Sequence, residues 1–173
     1  MQMRILVWDE EKQARMWMEK AWEIAQHASC ERSKCWSVVV KDWVCIWAWY
    51  NSPAKELESQ RRCSADKMSY HRKVTDKTCC IHAEQRALFD ALRNHPEQIE
   101  WSILYFIRLD KDWNLSRAGK PYCTICSKMA LELWVAEFVL WHDEGITAYN
   151  TEEYNLLSYQ YEEYNLLSYQ YEE

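Results

Sequence analysis

Short apolar runs alternate with helix-patterned segments along most of the chain, and this alternation restricts the fold more than any other feature. The runs are rich in β-branched and aromatic residues, which is typical of strands buried in a sheet. They span residues 37–41, 44–49, 101–109, 136–142 and 146–149. A chain with this pattern is expected to build one sheet and to cover it with helices.

Four segments around these runs have the three- and four-residue apolar spacing of amphipathic helices. They are residues 9–30, 82–94 and 123–134, and a segment that begins near Thr151. Strands joined by helices of this length favour parallel neighbours with right-handed crossovers. The first two runs, joined at Asp42-Trp43, instead predict a hairpin. The sequence therefore predicts an α/β fold, a three-layer α/β/α domain with one antiparallel edge hairpin.

Composition restricts the class of protein. A length of 173 residues with 49% hydrophobic and 28% charged residues is typical of one folded domain. A net charge of −6 makes extended nucleic acid an unlikely partner, and no apolar run of about 18 residues exists, so no membrane span is predicted. The start of the chain lacks the pattern of an export signal. The eight cysteines are therefore interpreted as thiols and metal ligands of a cytoplasmic protein.

Two segments stand outside the alternating pattern. Residues 54–78 form a long polar insertion without helical or strand periodicity, and its basic residues favour a solvated face over a phosphate contact. Those residues are Lys67, His71, Arg72, Lys73 and Lys77.

Residues 154–163 recur without change at 164–173, which indicates either a duplicated terminus or a helix that binds a partner. We therefore divide the chain into a domain, residues 1–150, and a C-terminal helical segment, residues 151–173.

The chemistry is concentrated in two short motifs, His82-Ala83-Glu84 and Cys123-Thr124-Ile125-Cys126. Two cysteines three residues apart at a helix start project to the same side, and the helix N-terminus favours their thiolate form. One imidazole and two thiolates leave a tetrahedral zinc ion with an open fourth position, as in catalytic sites. A carboxylate two residues after the histidine is near the metal and can move protons. The motifs predict His82, Cys123 and Cys126 as zinc ligands and Glu84 as the catalytic residue.

The paired motifs resemble the signature of the zinc-dependent cytidine and deoxycytidylate deaminases, His-x-Glu followed by Pro-Cys-x-x-Cys. The resemblance extends over roughly residues 9–150 and is closest to deoxycytidylate deaminases, through the hairpin, Tyr50-Asn51-Ser52-Pro53 and the first zinc helix. It implies a mixed five-stranded sheet and a homo-oligomer. It also implies hydrolytic deamination of a small cytosine nucleotide, dCMP to dUMP with release of ammonia, and substrate contacts from Asn51 and Ala83.

Alternatives remain open at this stage. The same kind of site serves deaminases of adenosine or cytidine in RNA or single-stranded DNA, and a non-catalytic zinc-bearing interaction domain would carry the same ligands. His82, Cys123 and Cys126 would be ordinary core residues if no metal binds, and Cys79 or Cys80 would close a purely structural zinc site. A second structural zinc ion on Cys63, His71 and Cys79 is also conceivable, but their irregular spacing favours free thiols.

The sequence departs from the family pattern in two ways. Tyr122 separates Pro121 from Cys123, where the family proline directly precedes the cysteine. The chain also has only 2 glycines against 11 tryptophans. Six tryptophans fall where relatives often carry glycine: Trp36, Trp43, Trp47, Trp49, Trp113 and Trp134. Trp43 and Trp113 are poor choices if a positive φ is required at those positions.

Overall fold

The structure is a computed structural model that describes residues 3–25, 27–71, 79–110, 112–119 and 123–170, and the side chains of these residues except Ala25 and those of 161–170. The strands are β1 (Arg4–Ile5), β2 (Lys34–Lys41), β3 (Val44–Tyr50), β4 (Ser52–Pro53), β5 (Cys80–Ile81), β6 (Ile103–Leu109), β7 (Leu115–Ser116), β8 (Glu137–His142) and β9 (Gly145–Asn150). The helices are α1 (Trp8–Ala25), α2 (Ala83–Asn94), α3 (Thr124–Glu132) and α4 (Thr151–Gln170). Every helix and strand predicted from periodicity has a counterpart within a few residues.

The central sheet is mixed and has the strand order β1-β9-β8-β6-β2-β3, with β7 paired to β6. Strands β6 and β8, which are connected through α3, run parallel, and β2 and β3 form the predicted edge hairpin. The predicted α/β class with a mixed sheet is confirmed, but the expected number of five strands is wrong: over the described ranges the sheet has seven, because the two-residue strands β1 and β7 add to it by pairing with β9 and β6. The short strands β4 and β5 form a separate antiparallel pair in which Ser52 lies opposite Ile81, so the end of β3 lies beside the start of α2.

Helices cover both faces of the sheet because the buried side chains alternate along each strand. On one face Val38 and Tyr105 pack against α1, and on the other Val39 and Leu104 pack against α2 and α3. Helix α4 packs on α3 and on strands β8 and β9. Within the part of the chain that is described, no helix is long and apolar enough to cross a bilayer.

Five tryptophans have left-handed backbone conformations, which side chains with a Cβ atom rarely adopt. They are Trp8, Trp43, Trp101, Trp113 and Trp134, with φ between 54° and 67°. Three of the six tryptophans expected at glycine positions are therefore in glycine-like conformations. The other three, Trp36, Trp47 and Trp49, lie in β2 and β3 with ordinary strand backbone. The buried indole nitrogens of Trp36 and Trp49 have no hydrogen-bond partner among the described residues.

Candidate active site

The first turns of α2 and α3 meet on the face of the sheet that these helices cover. His82 is the N-cap residue of α2, and its backbone N–H donates to Gln85 Oε1 at 3.1 Å. Cys123 is the N-cap residue of α3, and its Sγ accepts a hydrogen bond from the Cys126 N–H at 3.4 Å. The two cap residues therefore project from helix starts, where the free N–H groups favour negative charge.

His82, Cys123 and Cys126 come together as the motifs predicted. His82 Nδ1 lies 3.2 Å from Cys123 Sγ and 3.3 Å from Cys126 Sγ, and the three atoms all lie within 4.8 Å of one another. Tetrahedral zinc with ligands at about 2.0–2.3 Å places neighbouring ligand atoms roughly 3.3–3.8 Å apart. The donor set and its spacing therefore fit a zinc ion with three protein ligands.

The thiols already share charge in a way that suits a metal. The pKa of Cys123 is lowered to about 4, first by a hydrogen bond from Cys126 and further by His82, although burial acts in the opposite direction. The pKa of Cys126 is raised well above its usual value by the adjacent Cys123 and by burial. The shifts favour a thiolate at Cys123 and a thiol at Cys126, and binding of a divalent cation would displace the proton of that thiol.

Glu84 lies beside the sulfurs at the base of the pocket. Glu84 is 7% exposed, and its carboxyl group interacts with the Cys126 thiol. Burial raises the pKa of Glu84 above its usual range, while the charge of His82 opposes the shift. A carboxyl group with a raised pKa can both accept and donate a proton near neutral pH.

A cavity of about 400 Å³ opens from this cluster, which is within the usual size range of small-molecule sites. His82, Glu84 and Cys123 line it at one end. Ala83, fully buried at the first position of α2, also lines the cavity, and a substrate contact from it stays a prediction.

Asn51 lines the same cavity, but its side chain is engaged with the backbone of the segment that leads into β2. Its Oδ1 accepts from the Cys35 N–H at 2.9 Å, and its Nδ2 donates to the Ser33 oxygen at 2.8 Å. These bonds hold the rim of the cavity in place. Each group of the carboxamide keeps a second hydrogen-bonding position, so a substrate contact from Asn51 stays a prediction.

Sequence patterns did not identify Phe106, Arg108 and Tyr154 as residues of the cavity wall. Tyr154 belongs to the first copy of the repeat, is 5% exposed, and stacks on Phe138 with ring centroids 4.2 Å apart. Asn155 beside it accepts a hydrogen bond from Ser127 of α3 at 2.8 Å. The alternation within β6 is the only sequence signal that points to Phe106 and Arg108, and it does not reveal which face carries the pocket.

Four cysteines form a second cluster next to the cavity. The sulfurs of Cys30, Cys63 and Cys80 lie within 4.8 Å of one another, and Cys79 Sγ lies 3.4 Å from Cys63 Sγ and 3.6 Å from Cys80 Sγ. The sequence favours free thiols, with Cys63, His71 and Cys79 as the alternative set. The structure instead brings Cys63 and Cys79 together with Cys30 and Cys80.

Comparison with known proteins identifies the fold. No protein-family profile matches the chain, and no curated protein is a significant match in sequence. The dCMP deaminase of cyanophage S-TIM5, solved with dCMP and dUMP, superposes with a TM-score of 0.52 and 22% identity over 77% of this chain and 82% of its own. A cytidine deaminase from Burkholderia pseudomallei superposes with a TM-score of 0.52 and 16% sequence identity. The match covers 81% of this chain and 94% of that enzyme. The chain therefore has the cytidine deaminase-like fold.

Proposed function

We propose that this protein is a zinc-dependent hydrolytic deaminase of a cytosine nucleotide, with dCMP as substrate and dUMP and ammonia as products. The observation that carries the proposal is the convergence of one imidazole nitrogen and two sulfurs from separate helix starts, beside the buried carboxyl group of Glu84. The dCMP deaminase neighbour solved with dCMP and dUMP supports the choice of substrate.

His82, Cys123 and Cys126 would hold the metal, because their atoms have the identity and spacing of a three-ligand catalytic zinc site. Zinc bound there would supply Lewis-acid activation of the attacking water. The three ligands belong to two helix starts that are packed together, so the site needs no rearrangement of the fold to form.

Glu84 would move the protons. Its carboxylate takes one proton from the attacking water and passes it to the ring nitrogen next to the amino-bearing carbon. It then takes the second proton from the hydroxyl group left on that carbon and delivers it to the departing amino group, which leaves as ammonia while the carbonyl forms. Burial favours the protonated form of Glu84 and so makes it a sufficiently weak acid for this exchange. The low exposure of the carboxyl group also limits proton exchange with bulk water.

The direct test is ammonia release from a panel that contains dCMP, deoxycytidine, adenosine and guanine compounds, and short RNA and single-stranded DNA. We expect release from dCMP at the highest kcat/KM. Preferred turnover of an oligonucleotide would support a nucleic-acid deaminase instead. A zinc-loaded protein that releases no ammonia from any compound would contradict the enzyme assignment and favour an interaction domain.

We also propose that the second cluster binds a structural zinc ion through Cys30, Cys63, Cys79 and Cys80. Four thiolates form a closed tetrahedral set, the usual composition of structural zinc sites. The separations of 3.4–3.8 Å among the sulfurs of Cys63, Cys79 and Cys80 suit that geometry, and the sulfur of Cys30 lies within 4.8 Å of those of Cys63 and Cys80. Such a site would tie the insertion to the start of α2, two residues before His82.

Metal analysis tests the second site. The wild-type protein should contain two zinc ions per chain, Cys63→Ser should retain one, and Cys45→Ser should retain two because exposed Cys45 lies outside both clusters. A wild-type content of one zinc ion, unchanged in Cys63→Ser, would restore the interpretation as free thiols.

We further propose a homo-oligomer, as the deaminase resemblance implies, and a location in the cytoplasm, where the eight cysteines would stay reduced. Light scattering of the zinc-loaded protein at several concentrations gives the number of subunits. A molecular mass of about one chain at all concentrations would contradict the oligomer.

A further inference from the structure

The mouth of the cavity is positively charged although the chain as a whole is acidic. Four cationic residues line it: Arg32, Arg62, Lys67 and Arg108. Among the described lining residues, the only carboxylate is Glu84, which lies beside the candidate metal ligands. In a chain with a net charge of −6, this grouping favours an anionic ligand at this opening.

Two of the four cations are used to hold the insertion. Arg32 donates to the backbone oxygens of Cys63 and Ala65. Arg62 donates to the backbone oxygens of Ser59 at 2.9 Å and of Arg61 at 2.6 Å. The Nε and Nη2 atoms of Arg32 and the Nη1 atom of Arg62 are therefore engaged with the backbone of the insertion.

Lys67 and Arg108 differ from these two residues. Within the described ranges, neither side chain has a hydrogen bond or an ion pair with another residue. A guanidinium group that lines a cavity without a carboxylate partner retains its five N–H donors for a ligand. Arg108 is thus available for an anion in a way that Arg32 and Arg62 are not.

The strand register places Arg108 at the correct end of the cavity. Side chains of β6 alternate, so Leu104, Phe106 and Arg108 share the face covered by α2 and α3. Leu104 is fully buried in the core beneath these helices, Phe106 forms part of the cavity wall, and Arg108 follows at the opening. A substrate whose ring is held near Glu84 would extend past Phe106 toward Arg108.

The half-buried Cys35 thiol lies on the same part of the cavity wall as Arg108. Cys35 lies directly opposite Arg108 in the β2–β6 pairing and also lines the cavity. Burial raises the pKa of Cys35 to about 12, with the charge of Glu84 raising it further and that of Arg108 lowering it. One thiol is thus within electrostatic range of both the catalytic carboxyl group and the unpaired guanidinium.

We infer that Arg108, with Lys67 as a second cation, binds the phosphate group of the substrate and makes the pocket select nucleoside monophosphates over nucleosides. The inference rests on the proposed deaminase function for the position of the base. A planar guanidinium can make two parallel hydrogen bonds to phosphate oxygens, which a nucleoside cannot receive.

The experiment compares Arg108→Ala and Arg108→Lys with Arg93→Ala, which removes an exposed arginine at the end of α2 that does not line the cavity. For each protein, the ratio of kcat/KM for dCMP to that for deoxycytidine is measured by ammonia release. Loss of a charge-assisted contact predicts a fall in this ratio of about 10- to 100-fold in Arg108→Ala. The ratio should fall by less in Arg108→Lys, and it should keep the wild-type value in Arg93→Ala.

Binding separates this inference from the deaminase assignment. Calorimetry on the zinc-loaded proteins compares dUMP, deoxyuridine and a short single-stranded DNA, and needs no turnover. If no substrate is deaminated, a preference for dUMP over deoxyuridine that is lost in Arg108→Ala still supports the phosphate site. Three results would overturn the inference. The first is an unchanged ratio of kcat/KM for dCMP to deoxycytidine in Arg108→Ala, and the second is equal affinity of the wild-type protein for dUMP and deoxyuridine. The third is binding of the DNA that is tighter than that of dUMP and depends on Arg108.

Discussion

His82 Nδ1 lies 3.3 Å from Cys126 Sγ, although 44 residues separate the two along the chain. The contact exists because α2 and α3 start at the same place on the sheet and pack against each other. Strand β5 directly precedes His82 and is anchored to β4 at the end of β3. The candidate metal ligands are therefore held by backbone elements of the core rather than by loose loops, and this allows local substitutions to be interpreted at the site.

Glu84→Gln should keep zinc and lose catalysis. The substitution retains the size of the side chain but removes its ability to accept a proton, so ammonia release from dCMP should fall by about 10²- to 10⁴-fold. Zinc content, measured by atomic emission, should stay at the wild-type value because the ligands are unchanged. Glu132→Gln, at the exposed end of α3, is the matched control. Wild-type turnover in Glu84→Gln would refute the catalytic assignment.

Trp43→Gly should stabilise the protein. Trp43 and Asp42 form the two-residue turn between β2 and β3 with φ of 67° and 46°, and Asp-Gly suits such a turn far better than Asp-Trp. The indole is 62% exposed, so little packing is lost. Relief of the left-handed strain predicts a gain of about 1 kcal/mol in the free energy of unfolding, measured with urea.

Trp47→Gly is the informative comparison for that gain. Trp47 was also expected at a glycine position, but it lies inside β3 with ordinary backbone and packs against the core. Glycine there loses side-chain contacts and adds chain entropy, so the protein should be destabilised by at least about 1 kcal/mol. Equal gains from both substitutions would show that the tryptophan content, and not the backbone conformation, limits stability.

The sequence alone allowed the main elements to be predicted, because buried strands and amphipathic helices leave periodic patterns that need no knowledge of partners. It did not reveal the environment of Arg108 or Tyr154. Their places in the cavity wall depend on the register of β6 against β2 and on the docking of α4, which are long-range pairings. The cysteine cluster was missed for the same reason, since Cys30 precedes β2 and joins residues more than 30 positions later only in the fold.

Alkaline pH should destabilise the protein through Tyr105. Its pKa is raised to about 12, mainly by burial, with Glu137 and Glu10 raising it and Arg4 lowering it. An unfolded tyrosine ionises near pH 10, so from about pH 10 to 12 the unfolded chain loses a proton that the folded chain keeps. The free energy of unfolding is therefore highest below pH 10 and decreases by up to about 2–3 kcal/mol as the pH rises to about 12.

Urea unfolding at pH 8.5 and at about pH 11 measures this loss. Tyr105→Phe cannot ionise and should lose less stability than wild type between the two pH values. Tyr159→Phe, which alters an exposed tyrosine of α4, should behave as wild type. Identical losses in all three proteins would show that Tyr105 does not ionise on unfolding in this range.

Removal of the second repeat, residues 164–173, should leave the fold and the pocket in place, whereas removal of both copies should not. The first copy provides Tyr154, which stacks on Phe138 and lines the cavity, and Asn155, which accepts the Ser127 hydroxyl. Loss of a buried aromatic side chain costs about 3–5 kcal/mol, equivalent to roughly 10 °C or more in Tm for a chain of this size. Calorimetric Tm values of the two truncated proteins provide the measurement. The two truncated proteins differ only in the first copy, so equal Tm values would mean that residues 154–163 do not stabilise the fold, and an unchanged Tm in Tyr154→Ala in the full chain would confirm that result.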